Sequence, residues 1–171
     1  MMSKVSVMLD ADAISKRITE IAADITADFQ GKEFVALCVL SGSFVFAADL
    51  LRHIDNDRTQ VAFIRAKSYL GTQSTGNVQI SGYDGGFEGK NILIIEDIVD
   101  TGRTLRALRD EVLSRNPESL KIAVLLDKPD RRIADIKADY TCFEIEDKFV
   151  VGYGLDWNEK YRTLPYIGCV E

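Results

Sequence analysis

The sequence predicts an α/β fold with a doubly wound, mainly parallel sheet flanked by helices. Uninterrupted apolar runs at residues 34–40 and 92–95 are typical of strands that are buried on both faces of a sheet. Helical patterns separate the apolar runs, and such alternation is typical of right-handed crossovers within one sheet. In such sheets ligands bind beyond the carboxyl ends of the strands. The residues that follow Leu40, Ile95 and Leu126 are therefore the first candidates for a site.

The length, composition and charge of the chain disfavour some classes of function. The 171 residues suit one domain spanning residues 1–171, and the hydrophobic (46%) and charged (28%) fractions are ordinary for a globular protein. The net charge of −6 disfavours non-specific nucleic-acid binding, which needs a basic surface. No apolar run reaches the length of a membrane span, and residues 1–12 lack the layout of a secretory signal. We expect a cytoplasmic protein with neither a nucleic-acid nor a membrane partner.

Cysteine and histidine usage disfavours two further classes of site. The three cysteines are Cys38, Cys142 and Cys169, an odd number without a CxxC pair, and we expect buried, reduced thiols. The single histidine, His53, lies in a helical pattern. A zinc site and a Ser-His-Asp triad therefore have little support.

The first half of the chain predicts helix, strand, helix and strand in turn. Residues 10–30 predict an amphipathic helix, because four isoleucines recur at spacings of four, three and four residues. Asp10 or Asp12 can cap its start. The strand at 34–40 leads to a helix at 44–54 and then to a strand at 61–66. The isoleucines are Ile14, Ile18, Ile21 and Ile25.

Residues 67–90 depart from this alternation. They contain six glycines with several serines, threonines and glutamines, and only residues 78–80 resemble a strand. Because long loops in compact domains usually carry function, we interpret this stretch as a flap beside the active site. A plain glycine-rich surface connection has the same composition.

The second half continues the alternation. After the strand at 92–95, apolar residues at helical spacing predict a helix with one buried face. Strands follow at 121–126, 140–145 and 149–151. The apolar stripe of the predicted helix consists of Leu105, Leu108, Val112 and Leu113.

Residues 92–104 carry the most specific pattern in the chain. The apolar strand ends in two adjacent carboxylates, Glu96 and Asp97, which suit sugar hydroxyls or magnesium. Residues 101–104 offer two hydroxyls, a glycine and free backbone N–H groups at a helix start, which together suit an anion. Helix capping explains any few of these residues. The whole loop fits a ribose 5-phosphate, with the phosphate at one end and a diol or metal at the other.

The complete string resembles the phosphoribosyl-pyrophosphate signature of the type I phosphoribosyltransferases. Three further segments are similar, in the same order, to the hypoxanthine-guanine phosphoribosyltransferases of that family. They are residues 40–44 at the pyrophosphate site, 67–76 in the flap and 147–156 in the purine-binding segment. The resemblance spans about residues 34–165. It implies a mobile flap over residues 67–90 and a small purine-binding hood over residues 140–171.

The resemblance also implies residue roles around the sugar and the base. Asp100 would be the general acid or base at N7 of the purine, Lys128 would donate to the 6-oxo group, and Phe149 would stack on the ring. The phosphoribosyl site would consist of Glu96, Asp97, Thr101, Gly102, Arg103 and Thr104. The purine site would consist of Lys128, Lys148, Phe149 and Val150. From the residues alone, Lys128 also suits a surface position and Phe149 a strand core.

At the leaving group, the resemblance implies that Ser41, Gly42 and Arg162 bind pyrophosphate. Glu96, Asp97 and Asp156 would bind Mg²⁺, the implied cofactor, and Ser68 and Tyr69 in the flap would close over the site.

One position departs from the family pattern. Many relatives carry Lys or Arg where this chain has Ser41. Pyrophosphate would then rely on backbone N–H groups and on the hydroxyls of Ser41 and Ser43. Members also often have a non-proline cis peptide at the position of Leu40 and Ser41.

The implied reaction transfers the 5-phosphoribosyl group from phosphoribosyl pyrophosphate to N9 of hypoxanthine or guanine, giving IMP or GMP. The resemblance further implies a homodimer or homotetramer. One alternative is a phosphoribosyltransferase for xanthine, adenine or uracil, but Lys128 and residues 148–150 favour a 6-oxopurine. The other is a non-catalytic, RNA-binding nucleotide sensor on the same fold, which the acidic charge and the retained Asp100 disfavour.

Overall fold

The computed structural model describes residues 4–68 and 78–171, and the side chains of 4–66 and 79–171. Strands and helices alternate along most of the chain, as the sequence predicts. The helices are α1 (Ala11–Asp28), α2 (Phe44–His53) and α3 (Arg103–Leu113), with a 3₁₀ turn at Pro129–Arg131. The strands are β1 (Val5–Leu9), β2 (Phe34–Val39), β3 (Thr59–Ser68), β4 (Val78–Ser81), β5 (Asn91–Val99), β6 (Ser119–Asp127), β7 (Tyr140–Glu144), β8 (Val150–Val151) and β9 (Ile167–Val170).

The main sheet has six strands in the order β4-β3-β2-β5-β6-β7. Its pairs are parallel except for β3 with β4, which are antiparallel. Alternate residues of β2 face two separate cores: Ala36 packs in the core that contains α1 and α2, and Leu37 in the core that contains α3. Helices therefore cover both faces, and the predicted doubly wound, mainly parallel architecture is confirmed.

The helical periodicities are borne out with one exception. The Asp10 carboxylate accepts a hydrogen bond from the Ala13 amide at 2.8 Å and caps α1, whose four stripe isoleucines are buried. In α3 the predicted stripe is buried except for Leu113, which is 47% exposed. The prediction for Leu113 is wrong because this residue lies about 100° around the helix from Val112.

A second sheet joins the two ends of the described chain. It is antiparallel, in the order β1-β9-β8, and Val5 pairs with Val170. The sequence pattern predicts neither β1 nor β9. The predicted hood, residues 140–171, therefore supplies strands to both sheets: β7 is an edge strand of the main sheet, whereas β8 and β9 lie in the small one. The purine-binding role of this region stays a prediction.

The two arms of the predicted flap form an antiparallel pair. Lys67 pairs with Gln79, and Ser68 pairs with Val78, at the end of β3. Residues 69–77, with Tyr69, lie outside the described residues. Within the described ranges, no helix is long and apolar enough to cross a membrane. Cys38 and Cys142 are buried, and all three cysteines have free thiols.

Candidate active site

The carboxyl ends of three neighbouring strands meet at one edge of the main sheet. Strands β2, β5 and β6 are adjacent and parallel, so Ser41, Asp100 and Lys128, which follow them, lie along the same edge. The structure thus brings together residues that are far apart in sequence. One expectation is wrong: β5 does not end at Ile95 but runs through Glu96 and Asp97 to Val99.

The loop after β5 is shaped to present backbone amides. Gly102 has a φ of +79° and forms the N-cap of α3, which begins at Arg103. A glycine N-cap has no side chain with which to accept from the first-turn amides, and this leaves them available to an anion. The Arg103 amide makes only a long contact, 3.5 Å, with the Thr101 hydroxyl. Thr104 follows in the first turn of α3.

The segment after β6 packs against this loop and holds its backbone in place. The carbonyl of Thr101 accepts hydrogen bonds from the amides of Ile133 at 2.9 Å and Ala134 at 3.0 Å. A Cβ at Gly102 would lie 2.5 Å from Ile136 Cγ2 and 2.8 Å from Arg132 Cδ. Only glycine fits at this position, because both the left-handed φ and the close packing exclude a side chain.

The paired carboxylates on β5 have different surroundings. Burial, followed by the charge of Asp97, raises the pKa of Glu96 well above its ordinary value. Asp97 lies against the loop after β2, where a Cβ at Gly42 would overlap its carboxylate. Its Oδ1 accepts from the Ile98 amide at 2.8 Å. Asp97 therefore lies between the predicted sugar site and the predicted pyrophosphate site.

Four charged side chains form a network at the predicted purine site. Arg131 Nε donates to Asp100 Oδ1 at 2.9 Å, and Arg131 Nη1 lies 3.6 Å from Asp147 Oδ2. Lys128 Nζ lies 3.5 Å from Asp147 Oδ1. Lys128 is only 7% exposed, so its side chain does not have the surface position that its neighbours in sequence also suit. Its buried position, with one ion-pair partner among the described side chains, leaves donor capacity for a ligand carbonyl.

Aromatic side chains flank the same region. Phe149 precedes β8 and is 53% exposed, so it is not a strand core residue. Its ring lies 6.0 Å from that of Trp157, edge to face, and Trp157 stacks on Tyr161 with centroids 6.4 Å apart. Val150 is buried in β8. The exposed face of Phe149 provides a flat apolar surface of the kind on which a planar base stacks.

The loop after β2 has the expected cis peptide, but only one of the two expected hydroxyls, that of Ser41, is available to a ligand. The Leu40–Ser41 peptide is cis. Ser41 Oγ accepts from Arg65 Nη1 at 3.3 Å. Ser43, in contrast, is buried, and its hydroxyl donates to the Val39 carbonyl at 2.5 Å. The expectation that the Ser43 hydroxyl binds pyrophosphate is wrong, because this buried hydroxyl donates its proton to the carbonyl of Val39, the last residue of β2.

The C-terminal half supports this loop from the other side. A Cβ at Gly154 would overlap the Gly42 carbonyl, so the two glycines pack backbone to backbone. Arg162 Nη1 donates to the Gly154 carbonyl at 2.9 Å, and Nη2 lies 3.2 Å from both Asp156 and Glu159. Gly42, Asp97, Gly154, Asp156 and Arg162 therefore form one contiguous group.

The remaining predicted site residues in the described part of the chain are Lys148 and Ser68. The Lys148 ammonium lies on the surface 2.9 Å from the Glu146 carboxylate, which raises its pKa. Ser68 ends β3, on an arm of the flap.

Sequence reasoning assigned no individual role to Arg65, Arg131, Asp147 or Trp157, although Asp147 begins the segment at 147–156 that resembles the purine-binding segment. Arg65 lies inside β3 and inside the strand predicted at 61–66, so it lacks the signal that singled out Lys128, a cation directly after a buried strand. The others lie in irregular segments, where charged and aromatic side chains are common and carry no pattern.

Comparisons with known proteins show the family to which this chain belongs. A family model described as a phosphoribosyl transferase domain matches residues 5–158. A hypoxanthine-guanine phosphoribosyltransferase from Staphylococcus aureus is 46% identical over 167 residues, which is 96% of this chain and 93% of that protein. The enzyme of the same name from Streptococcus thermophilus is 42% identical, over 96% and 92% of the two chains. A crystal structure of a hypoxanthine-guanine phosphoribosyltransferase from Bacillus anthracis superposes with a TM-score of 0.91, at 45% identity and 99% coverage of both chains. This chain therefore belongs to the phosphoribosyl transferase domain family and, within it, to the hypoxanthine-guanine phosphoribosyltransferases.

Proposed function

We propose that the protein transfers the 5-phosphoribosyl group from phosphoribosyl pyrophosphate to N9 of hypoxanthine or guanine. The products are IMP or GMP and pyrophosphate, as in the salvage of free purines. The observation that carries the proposal is the position of Asp100 and Lys128 at the ends of adjacent strands, beside the glycine-capped start of α3. This arrangement offers an anion site, a proton acceptor and a buried cation within one edge of the sheet.

The loop at 101–104 binds the 5-phosphate in this proposal. Its support is the N-terminus of α3, which the N-cap residue Gly102 does not cap with a side chain, and the left-handed conformation of that glycine. Glu96 and Asp97 accept hydrogen bonds from the ribose hydroxyls.

The purine binds between Phe149 and the Asp100–Lys128 side of the site. Lys128 Nζ donates to the 6-oxo group, and Val150 meets the far edge of the base through its backbone. As the C1–N9 bond forms and the bond from C1 to the pyrophosphate oxygen breaks, Asp100 accepts the proton that leaves N7. C1 gains oxocarbenium character because the leaving group departs early.

The carboxylates present fit a magnesium ion shared with the substrate. Mg²⁺ in proteins is usually held by one or two carboxylates together with substrate oxygens. In residues 4–68 and 78–171, no three His, Cys, Asp or Glu side chains converge on a complete metal site. Glu96 and Asp97 on one side, and Asp156 on the other, would each supply part of a shell. The bound ion would supply neutralisation of the charge that develops on pyrophosphate.

Water must be excluded while C1 is electrophilic, and we propose that Ser68 and Tyr69 in the flap do this. The β3–β4 pair would carry the closing segment to the site edge. We further propose that the enzyme acts in the cytoplasm as a homodimer or homotetramer.

The test is a spectrophotometric assay with Mg²⁺, phosphoribosyl pyrophosphate and one base at a time. We expect turnover with hypoxanthine and guanine that depends on Mg²⁺. If only adenine or only uracil were turned over, that base would be the substrate in place of hypoxanthine and guanine. No turnover with any base, together with nucleotide-dependent binding to an RNA leader, would favour the sensor.

A further inference from the structure

The predicted pyrophosphate loop has no cation of its own. Residues 40–43 contribute backbone amides and the Ser41 hydroxyl, whereas the Ser43 hydroxyl already donates a hydrogen bond to the Val39 carbonyl. Pyrophosphate carries several negative charges, and backbone amides alone supply only partial positive charge. A cation that reaches this loop from elsewhere in the fold is therefore of interest.

Arg162, which we expect to bind pyrophosphate, already has several partners. Its guanidinium donates to the Gly154 carbonyl and lies 3.2 Å from the carboxylates of Asp156 and Glu159. The two carboxylates offset part of its charge, and the exposed Glu159 side chain does so least because solvent screens it. Arg162 thus supports the loop and shares its charge with acidic neighbours, which leaves a need for a second cation at pyrophosphate.

Arg65 reaches the loop from the neighbouring strand. Strand β2 pairs with β3 up to Val39 and Ile64, and the Leu40 amide then donates to the Ile64 carbonyl at 2.8 Å. Arg65 is the next residue, and its Nη1 donates to Ser41 Oγ at 3.3 Å. The end of the β2–β3 ladder thus places a guanidinium beside Ser41 of the pyrophosphate loop.

The Arg65 side chain is also available to a ligand. It is exposed, and in the part of the chain that the structure describes it pairs with no carboxylate. Its contact with Ser41 uses one of five N–H donors, and the hydrogen bond is long for a guanidinium. A neutral hydroxyl partner does not offset its charge, so the charge remains for a phosphate.

We propose that Arg65 is a binding residue for the pyrophosphate group of phosphoribosyl pyrophosphate and supplies the positive charge that residues 40–43 lack. The assignment rests on the proposed function. When the bond from C1 to the pyrophosphate oxygen breaks, its electron pair stays on that oxygen, and the Arg65 guanidinium stabilises the added charge on the leaving group. The Ser41 hydroxyl orients the guanidinium across the loop.

The experiment compares Arg65→Gln with Arg58→Gln in the otherwise unchanged protein. Arg58 is an exposed arginine just before the amino end of β3, about 23 Å away along the strand, and outside the site. Titration calorimetry with magnesium pyrophosphate measures leaving-group binding directly, and steady-state assays measure KM for both substrates. A third variant, Arg65→Gln with Ser41→Lys, returns a charge to the loop itself.

Loss of a charge-assisted hydrogen bond weakens binding by about 10- to 100-fold. We expect Arg65→Gln to raise the Kd of magnesium pyrophosphate and the KM of phosphoribosyl pyrophosphate by that factor. The Kd of IMP, which lacks pyrophosphate, should change less than twofold, and Arg58→Gln should match the parent in every measurement. Ser41→Lys should restore most of the lost affinity.

Three results would overturn the assignment. They are an unchanged Kd for magnesium pyrophosphate in Arg65→Gln, an equal weakening of IMP, and a selective loss that Ser41→Lys fails to restore. The last two would make Arg65 a residue that only holds the strand ends. A parent protein that binds neither pyrophosphate nor IMP would instead contradict the proposed function, so the two failures are distinguishable.

Discussion

Arg131 donates a hydrogen bond from Nε to Oδ1 of Asp100 at 2.9 Å, and the same guanidinium lies 3.6 Å from Asp147. The hydrogen bond and the charge of Asp100 raise the pKa of Arg131 above its ordinary value. Because Asp147 also pairs with Lys128, the proposed proton acceptor and the proposed purine donor belong to one network. A change at any member should affect chemistry and base recognition to different extents.

Replacing Asp100 by Asn removes the proton acceptor but preserves size and polarity. General acid–base catalysis contributes about 10²- to 10⁴-fold, so kcat should fall within that range while the Kd of the purine changes little. Stopped-flow measurement of one turnover and calorimetric binding of the product nucleotide separate the two effects. Asp130→Asn, an exposed neighbour of Arg131, is the matched control and should retain the parent kcat. An Asp100→Asn variant with parental kcat would remove Asp100 from the mechanism.

Replacing Arg131 by Gln should disturb the orientation of Asp100 without removing its carboxylate. We expect a smaller loss than for Asp100→Asn, about threefold to tenfold in kcat, because a misoriented base still reaches its proton part of the time. Arg131→Lys keeps the charge but not the geometry of the Nε donor, and it should restore activity only in part.

Steady-state kinetics for the two Arg131 variants check this expectation, with Arg115→Gln, just beyond the C-terminal end of α3, as control. Arg115 pairs with Glu111, away from the site. If Arg131→Gln lost as much activity as Asp100→Asn, Arg131 would take part in the chemistry and not only in orientation.

Gly42 lies so close to Asp97 that adding one methyl group should lower activity and leave stability almost unchanged. A Cβ at this position would overlap the Asp97 carboxylate, and a half-buried side chain can rotate away at modest cost. Gly42→Ala should therefore lower kcat/KM for phosphoribosyl pyrophosphate by at least about tenfold and leave the melting temperature within a few degrees.

Gly86 provides the control for this substitution. It has a φ of +70° and no neighbouring atom near an added Cβ, so Gly86→Asn should fold and react like the parent. A Gly42→Ala enzyme with full activity would mean that Asp97 does not work from its observed position.

The sequence predicted the central strands and the sugar loop because their signals are local. Apolar runs such as residues 34–39 identify buried strands by themselves, and residues 92–104 carry their chemistry in one string. Strands β1 and β9 were missed because each is short and forms only when opposite ends of the chain meet. A hydrophobic pattern has no means of signalling such a long-range pairing.

The charged parts of the site were harder to predict for a related reason. Arg65 and Ser41 are 24 positions apart, and only the β2–β3 register brings them together. Ser43 was assigned a ligand role from its place in the loop. Its hydroxyl instead satisfies the carbonyl of Val39, and such a choice between two nearby acceptors depends on the side-chain rotamer and not on residue type.

The cysteines should differ sharply in reactivity. Burial raises the pKa of Cys38 and of Cys142 to about 12, and both side chains are inaccessible. The thiolate is the reactive form, and about one molecule in a thousand has it at pH 9 for such a group. Cys169 in β9 is partly exposed. We therefore expect one thiol per folded chain to react with iodoacetamide.

Mass spectrometry of the folded protein at pH 7 and pH 9 checks this expectation. Raising the pH between these values should leave Cys38 and Cys142 unmodified, because both stay protonated well below a pKa of about 12. In denaturant all three thiols should react, and Cys169→Ser should leave none that reacts in the folded state. Labelling of Cys38 in the folded protein would mean that β2 opens, and since β2 is a central strand of the main sheet, the site built on its carboxyl end would open with it.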